Sequence, residues 1–138
     1  EFGHMTLVDG GRLCYCGRNG CLDAYCSASL LEKSGGSLSE FFEKLAAGEE
    51  RQRTVWEEYK RYLLLAINNI RVCFDCQIIL GGYVGSYLEP YLEEIKEGLE
   101  KYRLFEQNVD YVKVCYYKQE AAAMGVALLH IREFIKNV

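Results

Sequence analysis

The sequence predicts an α/β fold on three observations. Two short runs rich in apolar and β-branched residues, 77–80 and 111–117, are each followed by a stretch of helical periodicity, so residues 77–136 read strand, helix, strand, helix. That order calls for parallel pairing across a helical crossover. A long apolar stripe at helical spacing precedes the unit, and the first 26 residues carry no sustained period, holding five glycines and four of the seven cysteines.

Taken in order, residues 1–26 are expected as loops and short strands organised by something other than an apolar core. A short helix is predicted over Leu22–Lys33, ended by Ser34, Gly35 and Gly36. Ser37 with Glu40 three residues on makes a capping box for a helix over Leu38–Ala47, stopped by Gly48. Val55, Tyr59, Tyr62, Leu63, Ala66, Ile67, Ile70 and Cys73 recur at three and four and mark one buried face of a helix over Glu50–Phe74. Gln77–Leu80 followed by Gly81 and Gly82 reads as a buried strand ending in a turn. Leu88, Leu92, Ile95 and Leu99 carry a helix over Ser86–Tyr102, with Pro90 admissible only in its first turn. Tyr111–Tyr117 is the second strand. A last helix runs from Gln119 to Ile135, with a small-residue start, Ala121–Gly125, that permits close packing. Two strands alone make a marginal sheet, so further partners are expected.

The chain has 138 residues, which suits one domain. Half of it is apolar and 26% is charged, a balance that opposes disorder and supports a buried core. A net charge of −4 and a pI near 5.3 argue against a non-specific nucleic-acid surface, which needs clustered Lys and Arg. No apolar run reaches the roughly eighteen residues of a membrane span. The opening Glu-Phe-Gly-His-Met lacks a basic stretch followed by an apolar one, so no secretory leader and no membrane partner are expected.

Seven cysteines are an odd number, and Cys14, Cys16 and Cys21 fall within eight residues. Such crowding fits a metal site in a reducing cytoplasm better than a disulfide framework. With His4 they complete three thiols and one imidazole, a closed tetrahedral set typical of structural Zn²⁺. Gly17 and Gly20 fit a tight turn around an ion. A set of four protein ligands leaves no position for water, so the metal is architecture and not a hydrolytic centre. Cys73-Phe74-Asp75-Cys76 lacks a second pair and is expected to hold buried free thiols, and Cys26 and Cys115 are read as core residues. His130 is read as an ordinary helix histidine, and Trp56 with most of the eleven tyrosines as packing.

Glu1-Phe2-Gly3-His4, followed by Cys14-x-Cys16-Gly17-x-x-Gly20-Cys21-Leu22-Asp23, resembles the zinc-centred signature of the ROK family of repressors, open reading frames and kinases. Further along, Ile78-Ile79-Leu80-Gly81-Gly82 is similar to the family's second phosphate-side strand and turn, and Ala121–Leu129 to its closing alanine-glycine helix. The resemblance spans essentially the whole chain. It implies the later part of an actin-like, ribonuclease-H-like ATPase domain with a zinc-binding loop. On this reading residues 1–138 are one C-terminal domain: a zinc loop over 1–26, a helical segment over 27–76 and a βαβα unit over 77–138, with the N-terminal domain absent.

The resemblance also implies roles by position. The glutamate at the place of Glu1 contacts sugar hydroxyls, and the histidine at the place of His4 both ligates zinc and faces the sugar. The residue after Cys21-Leu22 is normally a sugar-binding glutamate; here Asp23 keeps the carboxylate with one methylene less reach. Asp23 equally suits the role of a carboxylate at a helix N-terminus. Gly81 and Gly82 stand where family kinases approach a nucleotide phosphate, but Tyr83 replaces a third glycine; an ordinary strand-to-helix turn is the other reading. No catalytic residue is assigned, because the family's Asp-x-Gly-x-Thr phosphate loop and catalytic aspartate are expected upstream of Glu1.

Asp23 and Tyr83 both depart from the kinase pattern, which favours a sugar-binding and oligomerisation domain of a sugar-responsive transcriptional regulator. It would bind a sugar or amino sugar, reach DNA only through an absent N-terminal domain, and form a homodimer, the resemblance implying dimers or tetramers. The alternative is the C-terminal half of a glucokinase-like sugar kinase using ATP and Mg²⁺, and a third reading is a zinc-stabilised oligomerisation domain without ligand.

Overall fold

A computed structural model describes residues 1–103, 108–118 and 120–137. The N-terminal 22 residues hold one 3-10 turn at Phe2–His4 and two isolated antiparallel bridges, Thr6 with Cys21 and Leu13 with Asn19. Backbone bonds within the loop do the rest: the Cys14 N–H donates to the Arg18 carbonyl at 2.8 Å and the Gly20 N–H to the Arg12 carbonyl at 2.8 Å. Leu22 N–H closes the segment onto the Met5 carbonyl at 2.8 Å.

The single helix expected over 22–33 is two, α1 (Asp23–Cys26) and α2 (Ala28–Gly35), broken at extended Ser27. A tertiary bond explains the break. A continuous helix would pair the Cys26 carbonyl with the Leu30 N–H, but that carbonyl accepts from Tyr59 Oη at 3.1 Å, and Leu30 N–H turns to Ser27 at 3.2 Å. The Cys26 thiol returns the contact to the Tyr59 carbonyl at 3.5 Å.

Helix α3 (Leu38–Ala46) starts as its capping box predicts, with Ser37 Oγ accepting from the Glu40 N–H at 3.2 Å, and it ends just ahead of Gly48. Helix α4 (Glu50–Phe74) has the predicted bounds. Its fully buried stripe is Gln52, Trp56, Tyr59, Leu64, Ala66 and Ile67, whereas Val55, Tyr62, Leu63 and Ile70 are half-buried. The stripe is rotated because α3 packs on the N-terminal half of α4 through Phe42 and Trp56, whose ring centroids lie 5.9 Å apart. The last turn of α4 overruns the core, so Cys73 and, beyond the helix, Cys76 are exposed and not the buried thiols expected from their apolar neighbours. Cys26 is half-buried at the edge of the core, whereas Cys115, also half-buried, packs outside it at the end of the second strand and is not the core residue expected.

Strands β1 (Ile78–Leu80) and β2 (Val112–Val114) pair in parallel with Ile78 against Val112 and Leu80 against Val114. Both are shorter than predicted, since beyond Val114 the chain turns at Tyr116 and Tyr117 and leaves the ladder. Between them an unexpected short helix, α5 (Gly82–Gly85), follows the strand, and the one expected helix over 86–102 is divided into a 3-10 turn at Glu89–Tyr91 holding Pro90, α6 (Leu92–Leu99) and a 3-10 turn at Glu100–Tyr102. Pro90 cannot donate a helical hydrogen bond, so a regular helix starts only after it. Leu88, Ile95 and Leu99 are buried as their spacing predicts. Phe42 stacks on Tyr87 at 4.9 Å and Trp56 on Tyr59 at 5.8 Å, joining α3, α4 and the crossover in one core. Lys60 of α4, half-buried, ties α4 to α6 by bridging Glu57 and Glu94.

Helix α7 (Ala121–Lys136) forms as expected, while Gln119, its predicted first residue, lies outside the described residues. Among its described side chains none is buried: Leu129 is 61% and Phe134 71% exposed. The close packing expected of its small-residue start is not met within these residues, because a side chain added at Gly125 would meet nothing within 4 Å. His130 is exposed on this helix. No helix among the described residues is long and apolar enough to cross a membrane.

Candidate metal centre

The predicted ligands converge. One ligand atom from each of His4, Cys14, Cys16 and Cys21 lies within 4.8 Å of all the others. Cys16 and Cys21 sulfurs stand 3.7 Å apart, and the Cys14 sulfur is 3.8 Å from His4 Nδ1. Four ligands at zinc bond lengths of about 2.0–2.3 Å in a tetrahedron stand roughly 3.5–3.8 Å apart, so the donor set and its spacing fit Zn²⁺. No disulfide competes for these thiols.

Local structure explains how four residues distant in sequence meet. The 3-10 turn Phe2–His4 brings His4 over the loop, and the Thr6–Cys21 bridge fixes its neighbour. Gly17 at φ +86° and Gly20 at φ +81° reverse the chain between the thiols, a conformation that costs an L side chain but not glycine. At Gly20 a Cβ would also strike the Val8 carbonyl. Cys14 and Cys21 are buried and Cys16 is exposed.

The surroundings favour the thiolate at Cys16 and oppose it at Cys21. The Arg18 backbone N–H, together with its guanidinium, pulls the Cys16 thiol down to about 6, while burial and the neighbouring thiols push Cys21 up to about 11. Arg18 also donates to the His4 carbonyl at 3.1 Å, tying the imidazole's backbone to the loop. Sequence reasoning did not single out Arg18, although its place between two ligands was visible.

The outer face of His4 collects the other predicted residues. Glu1 Oε2 is 3.8 Å from Nε2, and Glu1 is otherwise exposed. Tyr15, also not singled out from sequence, brings its hydroxyl within 3.2 Å of the same nitrogen, with the Asp23 carboxylate nearby. Loss of solvation and the neighbouring Asp23 carboxylate hold the Tyr15 phenol above its ordinary range. Asp23 stands in the first turn of α1, and its carboxylate lies beneath Gly3, where a Cβ would approach it to 2.7 Å. A cleft of about 200 Å³ lined by Cys14, Tyr15, Asp23, Ser27, Ser29 and Lys33 opens beside the cluster.

Gly81 and Gly82 lie elsewhere, at the C-terminal end of β1. A Cβ on Gly81 would stand 3.4 Å from Cys115 Cβ, an ordinary van der Waals contact, so packing of the strand ends does not by itself demand glycine here. Tyr83 is exposed and turned to solvent. A hollow of about 690 Å³ beyond these strand ends is lined by Ser86, Tyr87, Tyr116, Tyr117, Lys118 and Glu120.

The sequence profile of the ROK family matches residues 1–133. N-acetylmannosamine kinase of Escherichia fergusonii is 30% identical over 138 residues, covering 94% of this chain and 46% of that protein. The enzyme of the same name from Escherichia coli K12 is 30% identical over 138 residues, with the same 94% and 46% coverage. Among solved structures, a ROK hexokinase from Thermus thermophilus superposes with a TM-score of 0.75 at 26% identity, covering 96% of this chain and 48% of that one. A ROK family glucokinase from Streptomyces griseus, solved with glucose and AMPPNP, superposes with a TM-score of 0.75 at 22% identity, covering 94% and 50%. The chain thus spans about half the length of the relatives it matches, and its fold is the mixed α/β half of the actin-like ROK sugar-kinase architecture. With that match across residues 1–133 and the His/Cys cluster assembled, this chain belongs to the ROK family.

Proposed function

We propose that this chain is the zinc- and sugar-binding part of an ATP-dependent sugar kinase. The observation that carries the reading is the gathering of Glu1, Asp23 and the outer nitrogen of His4 beside the thiol cluster. Two carboxylates and an imidazole are what sugar hydroxyls need as hydrogen-bond partners, and a metal-fixed loop holds such groups in place before the ligand arrives. His4, Cys14, Cys16 and Cys21 are the proposed metal ligands. Zinc, when bound, supplies a rigid anchor for the loop.

The regulator favoured by Asp23 and Tyr83 gives way here because the similar proteins named above are sugar kinases. Gly81 and Gly82 are the proposed approach of a nucleotide phosphate, and the hollow beyond them offers tyrosine faces against which a base can lie. Phosphoryl transfer needs nucleotide, Mg²⁺ and acceptor held together, so the catalytic base and the remaining sugar contacts belong to the part of the protein outside residues 1–138. The zinc loop over 1–26, the helical segment over 27–76 and the βαβα unit over 77–138 are then parts of one C-terminal domain. A homodimer is the proposed assembly. Seven free cysteines suit a reducing, cytoplasmic setting.

The test is a coupled ADP-release assay on the full-length protein with N-acetylmannosamine, glucose, N-acetylglucosamine and xylose. Turnover on at least one sugar, with Asp23→Asn raising KM, is the expected result. No turnover on any of them, together with sugar-dependent DNA binding, would return the regulator.

A further inference from the structure

Tyr15 sits between two of the four metal-ligand residues and is 82% exposed, yet its side chain is engaged. Its hydroxyl is 3.2 Å from His4 Nε2, and its ring meets the imidazole edge to face with centroids 5.2 Å apart at 63°. The other ring nitrogen, Nδ1, faces the Cys14 sulfur at 3.8 Å. A neutral imidazole has one N–H and one lone pair, and the partner of one nitrogen decides the state of the other. A metal in the thiol cluster takes the Nδ1 lone pair, and so does a protonated Cys14 thiol. Nε2 then carries the hydrogen and needs an acceptor. Glu1 stands further off, at 3.8 Å, on a mobile-length side chain in solvent, so the phenol oxygen is the nearer acceptor. The Tyr15 O–H then remains as a donor, with the Asp23 carboxylate nearby.

We infer that Tyr15 is a positioning residue in the sugar-free protein: its oxygen accepts the His4 Nε2–H, until a sugar hydroxyl replaces it, and so fixes the imidazole in the tautomer and orientation that aim Nδ1 at Cys14, Cys16 and Cys21. The inference rests on the metal-site reading of those residues. An outer partner of this kind is the ordinary companion of a ligating histidine, and removing one costs about 10–100-fold in metal affinity. What is specific to this chain is its source, a tyrosine carried by the ligand loop itself.

Tyr15→Phe tests the role because it keeps the ring contact and deletes only the hydroxyl. Long-range ¹⁵N–¹H spectra of the His4 ring in the full-length, zinc-loaded protein are expected to show a protected Nε2–H in the wild type and its loss in Tyr15→Phe. Chelator competition should show zinc held about 10–100-fold less tightly by the variant, with an unchanged circular dichroism spectrum. Persistence of the ring signal, unchanged zinc affinity, or loss of the signal in Glu1→Gln but not in Tyr15→Phe would each overturn the inference. If the wild type takes up less than about half an equivalent of zinc, the metal reading fails. The same spectra of the zinc-free protein then decide Tyr15 separately, because the Cys14 thiol faces the same Nδ1: loss of the signal in Tyr15→Phe supports the contact and its persistence refutes it.

Discussion

Gly20→Ala probes whether backbone conformation, and not only ligand identity, builds the metal loop. Gly20 sits next to the buried ligand Cys21 at φ +81°, and its backbone is fully used: its N–H donates to Arg12 at 2.8 Å, and its carbonyl accepts from Leu7 at 2.8 Å and Val8 at 3.3 Å. Left-handed backbone costs an L residue roughly 1–2 kcal/mol. A Cβ would in addition meet the Val8 carbonyl, a backbone atom that no rotamer change can move aside. Forcing such an overlap adds about 1–3 kcal/mol, for a total of about 2–5 kcal/mol against a typical stability of about 5–15 kcal/mol. Gly17 supplies the internal comparison. Its φ is +86°, but a Cβ there would meet nothing within 4 Å, so Gly17→Ala should cost only the conformational part, roughly 1–2 kcal/mol. Urea unfolding of the zinc-loaded proteins, followed by circular dichroism, measures both. Because the Val8 clash pushes on the bridge that carries Cys21, Gly20→Ala should also lose zinc to a lower chelator concentration than Gly17→Ala does. Equal destabilisation of the two variants, within about 0.5 kcal/mol, would refute the packing argument.

Freshly purified protein made without a metal-affinity tag is expected to contain one equivalent of zinc by elemental analysis, and Cys14→Ser to cost several kcal/mol because binding is linked to folding. Burial raises the Cys26 thiol from 9.0 to about 12, and Tyr59 is raised also by burial and by Cys26. The folded state therefore holds these protons more tightly than the unfolded one: their contribution is complete below about pH 9 and is lost as pH climbs toward 12. The thermal midpoint should fall through that window, and Cys26→Ala should flatten the early part of the fall; a midpoint independent of pH there would sink the assignment. Residues 1–138 expressed alone should self-associate through the exposed apolar side chains of α7 and the edges of the two-stranded sheet, so light scattering at high micromolar concentration should return more than a monomer mass.

The clustering of His4, Cys14, Cys16 and Cys21 was legible in the sequence because metal chemistry is local in residue type: three thiols and a histidine at that spacing admit few other uses. Capping chemistry was local too, which is why Ser37 and Glu40 located the start of α3, while apolar periodicity gave the extent of α4. Parallel pairing of β1 and β2 followed from their order in the chain, since two strands joined by a helical crossover can pair in no simpler way. Tertiary contacts decided the rest. The hydroxyl of Tyr59 broke the helix expected at 22–33 by capturing the Cys26 carbonyl, a bond between residues 33 positions apart that no periodicity encodes. Apolar neighbours around Cys73 predicted burial, but α4 runs past the core that α3 and α6 provide, and the thiol lies in solvent. The outer face of His4 was the largest omission: Tyr15 read as one aromatic among many, and only the folded loop brings its hydroxyl to the imidazole, because side-chain direction at a reversed turn depends on the glycines that reverse it.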